Sequence, residues 1–279
     1  MHFSPASSQH PSVPHLRQVL RIDPIWSAYA LADLRADLLP FCRWSVAGDG
    51  LALVYTGLQP PILLTIGPAE DVAAALAQAA APVASAPGTI SLPEEVYLSV
   101  RHEHLPAVER WYDVQIRRVM VRMALGQEVT LAPVEQPLTR LVPADVPAIE
   151  ALIALGGPYA PDGFAPYQVE DGFFYGVEAD ASDGAGGLAA VGGTHILNFE
   201  EGVAAIGNVY TRADCRGKGY ARAITSEIVA QLRAAGLPTI VLNVNNENTI
   251  ARNLYDSLGF VEHCSFVEGS VKRSANDSE

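Results

Sequence analysis

Between Ala204 and Ala235 the chain passes from an apolar strand pattern through a glycine- and arginine-rich turn into a helix. Ala204-Ala205-Ile206-Gly207-Asn208-Val209-Tyr210-Thr211 has the β-branched, period-2 character of a strand, and Ala221, Ile224, Ile228, Leu232 and Ala235 recur at helical spacing. Gly236 and Pro238 end that helix. The turn between them, Arg212 to Gly219, carries Arg212, Arg216 and Lys218, with Arg222 one helical turn on, in a chain of formal net charge -13. N–H groups at the start of a helix have no intrahelical acceptor and lie at the positive end of its dipole, so the turn suits an anionic ligand such as a phosphate.

Two common phosphate sites do not match. A Rossmann turn needs a third glycine where Arg222 stands, and the P-loop pattern has no counterpart. Arg216-x-x-Gly219-x-Ala221 instead resembles the acyl-CoA pyrophosphate loop of the GNAT superfamily of N-acyltransferases. A second block follows at the family's distance: a strand over 239–244, then Asn248-x-x-Ala251-x-x-x-Tyr255-x-x-x-Gly259-Phe260. The resemblance covers roughly residues 139–267. It implies an α+β fold with a central mixed sheet flanked by helices.

Composition narrows the partners. The chain has 279 residues with 49% hydrophobic and 18% charged content, enough for one large or two ordinary domains with a sizeable core. Its acidic balance argues against nucleic acid and anionic membranes as main partners. Cys42, Cys215 and Cys264 form neither a disulfide framework nor a metal-ligand pattern, so no metal and a reducing, cytoplasmic setting are expected. No apolar run reaches the length of a membrane span, and Met1-His2-Phe3-Ser4-Pro5 lacks the plan of a signal peptide.

Residues 1–12 are expected to be disordered and 270–279 to be a flexible tail. The spacing predicts two short helices over 15–39, strands over 41–46, 51–56 and 61–66, and an alanine-rich helix over 70–81. A Pro/Ala/Ser loop to Pro87, a strand over 96–100, a short helix over 105–112 and a long strand over 114–124 complete this half. Its element order parallels that of the second half, so 13–125 is expected to be a degenerate GNAT-like domain, with an unrelated α+β cap as the alternative. The equivalent turn, Ile66-Gly67-Pro68-Ala69-Glu70, has no basic residue, and its proline removes an N–H.

A linker over 126–138, with Pro133 and Pro137, leads to the expected catalytic domain at 139–269. It opens with a strand over 139–142 and a helix ending near Leu155. Residues 158–172, including Tyr159, Asp162, Phe164, Tyr167, Glu170 and Asp171, read as a long irregular connection, a type of segment that is often functional. In the family this region covers the acceptor. A strand over 173–178, a turn over 180–187 and a hairpin turning at Glu200-Glu201-Gly202 follow.

The resemblance carries roles onto individual residues. In the family a bulged strand ends at the pyrophosphate turn and diverges from the next strand; here that segment is Val209, Tyr210 and Thr211, with Gly207 as the bulge position. Arg216, Gly217, Lys218, Gly219, Tyr220 and Ala221 would hold the pyrophosphate, with charge from Arg222, while Asn248 and Ala251 would meet the pantetheine arm. Asn248 is also a good helix N-cap, and the two roles are compatible. Tyr255 matches the tyrosine that serves the departing thiolate, although it shares an apolar helix face with Ala251 and Leu258.

The family mechanism is direct attack of an amine on acetyl-CoA, which needs a proton acceptor. Glu200, Glu201 and His195 are the leading candidates for that base, with Glu170 and Asp171 behind them. Asn208 is placed to line the acceptor cavity but cannot act as a base. Cys215 has no nearby His in sequence and reads as an incidental thiol. The expected activity is N-acetyl transfer to a small-molecule or amino-acid-like primary amine, with a homodimer compatible. Acetylation of a protein N-terminus or lysine is the nearest rival, and an acyl-CoA-binding regulatory module the rival from another class.

Overall fold

The protein is described here by a computed structural model covering residues 11–80, 91–115, 118–129, 131, 134, 136–161, 163–179 and 186–274. Residues 1–10, the loop to Pro87, Pro133, Asp162, the turn over 180–185 and the last five residues lie outside it. The chain divides into two compact units, Met1–Val119 with Ser265–Glu279, and Met120–Cys264.

In the first unit α1 (Val13–Leu20) and α2 (Ala28–Ala32) precede the meander β1 (Cys42–Ala47), β2 (Gly50–Tyr55) and β3 (Ile62–Ile66). Then come α3 (Ala69–Ala80), β4 (Glu95–Arg101), α4 (Leu105–Val108) and β5 (Tyr112–Asp113). The meander is antiparallel, whereas β3 and β4 are parallel because α3 crosses between them. Val72, Ala75, Leu76 and Ala79, on one stripe of α3, pack onto Ala52, Val54, Leu63, Val96 and Leu98 of the sheet.

The second unit begins with β6 (Arg118–Leu125) from Met120 onward, then β7 (Thr139–Arg140), α5 (Val146–Ile153), α6 (Tyr167–Asp171) and β8 (Phe174–Glu178). It continues with β9 (Leu188–Asn198), β10 (Val203–Thr211), α7 (Tyr220–Ala234), β11 (Thr239–Asn245) and α8 (Thr249–Ser257). Its strand order is β6-β11-β10-β9-β8-β7, with only β10 and β11 parallel. Ile224, Ile228, Val229 and Leu232 of α7 fill one face with Ala204, Ile206 and Leu242. Ile149, Leu152 and Val169 from α5 and α6 cover the other, against Phe174, Val191 and Tyr210. α7 stops as expected. Gly236, at φ +79°, lets Leu237 N–H reach Leu232 O (3.1 Å) and Gly236 N–H reach Arg233 O (2.9 Å).

Three expectations are corrected. The predicted strand over 114–124 is broken: Tyr112–Asp113 is β5, and from Met120 onward β6 joins the second unit by pairing antiparallel with β11, Val241 opposite Ala124. The last strand, β12 (Phe260–Arg273), extends through Ser270 to Arg273, where a flexible tail was expected. From Phe266 to Lys272 it pairs with β4, which buries Phe266, Val267 and Val271, so these residues belong to the first unit. The domain limits 13–125 and 139–269 therefore give way to a division set by strand pairing. The segment called a linker begins as part of the second unit, where Arg233 donates to Gly126 O (2.8 Å) and Val129 O.

Candidate active site

Residue volume and backbone shape open a gap in the second unit's sheet. β10 pairs with β11 only from Val203 opposite Thr239 to Ile206 opposite Leu242; beyond this β11 continues beside β6, and β10 beside β9. The β9–β10 register slips twice. Ala205 faces Ile196 but Ile206 faces Thr194, leaving His195 as an extra residue on β9, and Gly207 faces Gly193 while Tyr210 faces Val191, leaving an extra residue near Asn208 on β10. Asn208 sits at φ +54°, a left-handed conformation that asparagine tolerates better than most residues. Gly207 is required by contact: a Cβ there would meet His195 Cβ at 2.8 Å.

The strand then runs into the basic turn. Arg212 is engaged by Asp214 at 2.7 Å, a hydrogen bond that holds the Asp214 carboxyl below its usual range. Arg212 is therefore paired within the turn itself. Arg216, Gly217, Lys218 and Gly219 are exposed, and Arg216 Nε reaches back to Thr211 O at 3.3 Å. Gly219, at φ +82°, is the N-cap of α7 and offers no side chain to its first N–H groups; the helix bonds begin with Ala223 N–H to Gly219 O, 3.0 Å. The first turn, Tyr220-Ala221-Arg222, has no acidic residue. The donor set suits a diphosphate: backbone N–H groups at a dipole end, with Arg216, Lys218 and Arg222 around them. Arg222 also donates to Ser257 Oγ of α8 at 2.6 Å.

Asn248 caps α8, its Oδ1 accepting the Ala251 N–H at 3.2 Å. Ala251 is half-buried. Tyr255, one helical turn further on, is 8% exposed and packs edge-to-face on Phe260, ring centroids 6.0 Å apart. Burial pushes its phenol up to about 12.

The base candidates separate by position. Glu200 and Glu201 occupy the β9–β10 turn, at the end of β10 opposite Thr211. At about 3.3 Å per residue, Glu201 lies about 20 Å along the chain from Gly207. Glu200 is exposed and Glu201 is buried with its N–H on Asn198 Oδ1 at 3.1 Å. Neither is brought to the gap. Glu170 and Asp171 lie on the exposed face of α6. His195 alone among these candidates stands at the bulges, between Gly207 and Gly163, where a Cβ on Gly163 would meet His195 Cε1 at 2.8 Å. Cys215 is fully buried.

One residue at this site went unnoticed in the sequence. Gln168, in the segment read as irregular, points inward from α6 and is 4% exposed, bonded to both bulges. The signal available was the one-turn helix after Pro166, which puts Gln168 and Val169 inside and Tyr167, Glu170 and Asp171 outside. Among the described residues no group of three His, Cys, Asp or Glu could hold a metal ion, and no helix is long and apolar enough to cross a membrane.

Residues 153–260 match the acetyltransferase (GNAT) family, a span that contains the bulges, the basic turn, α7 and α8. This segment is a GNAT acetyltransferase domain. The chain is 40% identical over 78 residues to a mycothiol acetyltransferase of Geodermatophilus obscurus, covering 27% of this chain and 25% of that protein. It is 44% identical over 45 residues to a [ribosomal protein bS18]-alanine N-acetyltransferase of Haemophilus ducreyi, covering 16% and 31%. The chain thus spans a quarter to a third of the length of these curated relatives. In fold it resembles a Drosophila protein of solved structure (TM-score 0.60, 14% identity, 95% of this chain and 96% of that one). A GCN5-related N-acetyltransferase from Kribbella flavida is similar as well (TM-score 0.53, 17% identity, 90% and 96%). Both likenesses run over nearly the whole chain, in keeping with two GNAT-like domains.

Proposed function

We propose that the protein transfers an acetyl group from acetyl-CoA to the primary amine of a small-molecule or amino-acid-like acceptor. The observation that carries this is the parting of β10 from β11 beyond Ile206, on a strand that ends in a basic turn and a helix start with no acidic residue in its first turn. The backbone groups of Val209, Tyr210 and Thr211 would pair with the pantetheine amides, which would otherwise cost about 1–3 kcal/mol each if buried unpaired. Residues 216–221 would take the diphosphate, with Arg222 beside them, and Asn248 and Ala251 would line the arm.

The amine nitrogen attacks the thioester carbon; the N–C bond forms, the C–S bond breaks, one proton leaves nitrogen and one is needed at sulfur. His195 is the proton acceptor on this proposal, because it stands beside the bulge and Glu200 and Glu201 do not. Tyr255 is the partner of the leaving sulfur. A phenol at about 12 gives its proton to a thiolate near 8.5 only against about 5 kcal/mol, so it acts by donating a hydrogen bond.

The test is thiol release from acetyl-CoA, followed with a thiol-reactive dye, across a panel of primary amines and a peptide with an N-terminal alanine. Acceptor-dependent release is expected, falling about 100-fold or more in His195→Asn. Tight acetyl-CoA binding that no acceptor converts to release would instead mark a regulatory binding module.

A further inference from the structure

The polar atoms between the two bulges form one chain of hydrogen bonds, and backbone groups fix its direction. Gln168 Oε1 accepts the Ala165 N–H at 3.1 Å, while Gln168 Nε2 donates to His195 O at 3.1 Å and Gly163 O at 3.3 Å. A backbone N–H can only donate and a carbonyl can only accept, so the amide cannot be turned round without setting like against like at all three contacts. Oε1 also faces the Asn208 side chain at 2.9 Å, which must present Nδ2 to it. Oδ1 is then the end of Asn208 directed away from Gln168.

Asn208 is 7% exposed and Gln168 4%, so neither amide is free to exchange its ends with solvent. Asn208, His195 and Gly207 meet where both strands bulge, on the stretch of β10 that has left β11.

We infer that Gln168 is a positioning residue for the acceptor: it holds Asn208 with Oδ1 presented to the attacking amine and ties that oxygen to the His195 segment. This rests on the acetyl transfer proposed above. A nitrogen attacking through its lone pair points its N–H bonds away from the thioester, and those bonds need acceptors. A neutral primary amine has two. Asn208 Oδ1 takes one without becoming a base, and His195 takes the proton that departs. A hydroxyl or thiol has a single hydrogen and cannot satisfy both groups, so the pair selects an amine over an alcohol or thiol nucleophile.

Two variants test it. Asn208→Gly keeps the left-handed backbone available and removes Oδ1; Gln168→Met keeps the volume and removes the bonds. Steady-state rates are read with acetyl-CoA and three probes, a 2-amino sugar, an aliphatic diamine and a peptide with an N-terminal alanine, and acetyl-CoA affinity is read by calorimetry. Each single change is expected to lower kcat/KM for the amine about 10-fold, with acetyl-CoA Kd within about twofold. The double variant should fall no more than about threefold below the worse single, because both changes act on one oxygen.

Losses that multiply in the double variant, with acetyl-CoA Kd weakening in step, would show a merely structural role and overturn the inference. If Gln168→Met does not fold, Asn208→Gly decides alone: an unchanged kcat/KM overturns it. A wild-type protein that acetylates none of the three probes overturns the proposed function and this inference together, whereas an active wild type beside an unaffected Asn208→Gly overturns this inference only.

Discussion

Two strand–turn–helix crossovers in this chain share a plan and differ in what fills them. At β3–α3 the turn is closed by the protein itself. Gly67 O receives Nε2–H of the buried His104 at 2.9 Å, and Nδ1 of that ring lies 2.9 Å from the Thr65 hydroxyl. Burial pushes His104 below its usual range, which favours the neutral ring. Pro68 lacks an N–H, Glu70 and Asp71 occupy the first turn of α3, and Asp71 Oδ2 accepts the Asp49 N–H at 3.1 Å. A Cβ on Gly67 would meet Asp49 O at 2.3 Å. At β10–α7 the first turn has no carboxylate, Gly219 supplies no side-chain cap, and a Cβ on Gly217 would meet nothing within 4 Å among the described residues, while one on Gly219 would meet only the Gln136 amide at 3.3 Å. Both strands leave their parallel neighbour part-way, β3 after Leu64 and β10 after Ile206, but β3 keeps an unbroken register with β2 while that of β10 with β9 slips twice. On the function proposed above, a crossover serves as an anion site when its helix start has no carboxylate of its own and its strand is bulged.

Rebuilding one crossover as the other is the most direct way to break this contrast. Ala221→Glu with Arg222→Asp gives α7 the acidic first turn of α3, and acetyl-CoA Kd should rise about 100-fold, by calorimetry, while thermal stability holds or gains slightly. Unchanged affinity would show that the helix end is not the diphosphate site. A middle-sized effect separates binding from chemistry: Tyr255→Phe should lower kcat about 10-fold with acetyl-CoA Kd within about twofold. Because the phenol stays protonated up to about 12, that variant should keep the shape of the wild-type rate profile between about pH 6 and 10. Its raised value also means that stability falls from about pH 10, where the unfolded chain begins to ionise, through about 12 in the folded protein. Tyr255→Phe should lose that alkaline decline.

The smallest change works in the other direction. Glu70→Ala with Asp71→Ala opens the first turn of α3 and should lower stability by about 1–2 kcal/mol in urea unfolding. Pro68 still lacks an N–H and His104 still occupies Gly67 O, so no acetyl-CoA binding should appear at that turn. Binding there would mean that charge alone separates the two crossovers.

Much of the site was readable as local chemistry. Gly219 and Gly236 announce the two ends of α7, Asn248 announces the start of α8, and the strand from Val203 to Thr211 appears as alternation. Strand partnership was not readable in the same way, because pairing is decided between residues far apart. Arg118–Leu125 and Phe260–Arg273 each look like the natural end of the half they follow, yet Val121 pairs with Val244, and Val271 with Val96. Glu200 and Glu201 were correctly placed in a turn; strand β10 separates that turn from the bulge at Asn208, a distance the sequence pattern did not reveal. Gln168 was hidden by its surroundings: a one-turn helix inside a proline- and glycine-rich stretch leaves no periodicity to follow.

The exchange of the last strand bears on biosynthesis. Residues 266–272 complete the N-terminal sheet beside β4, yet they are synthesised only after the whole of the second unit. The first unit must therefore wait, its β4 flank uncovered, until the acetyltransferase domain has been made, and a chain cut short after α8 would forfeit the order of its beginning along with its end.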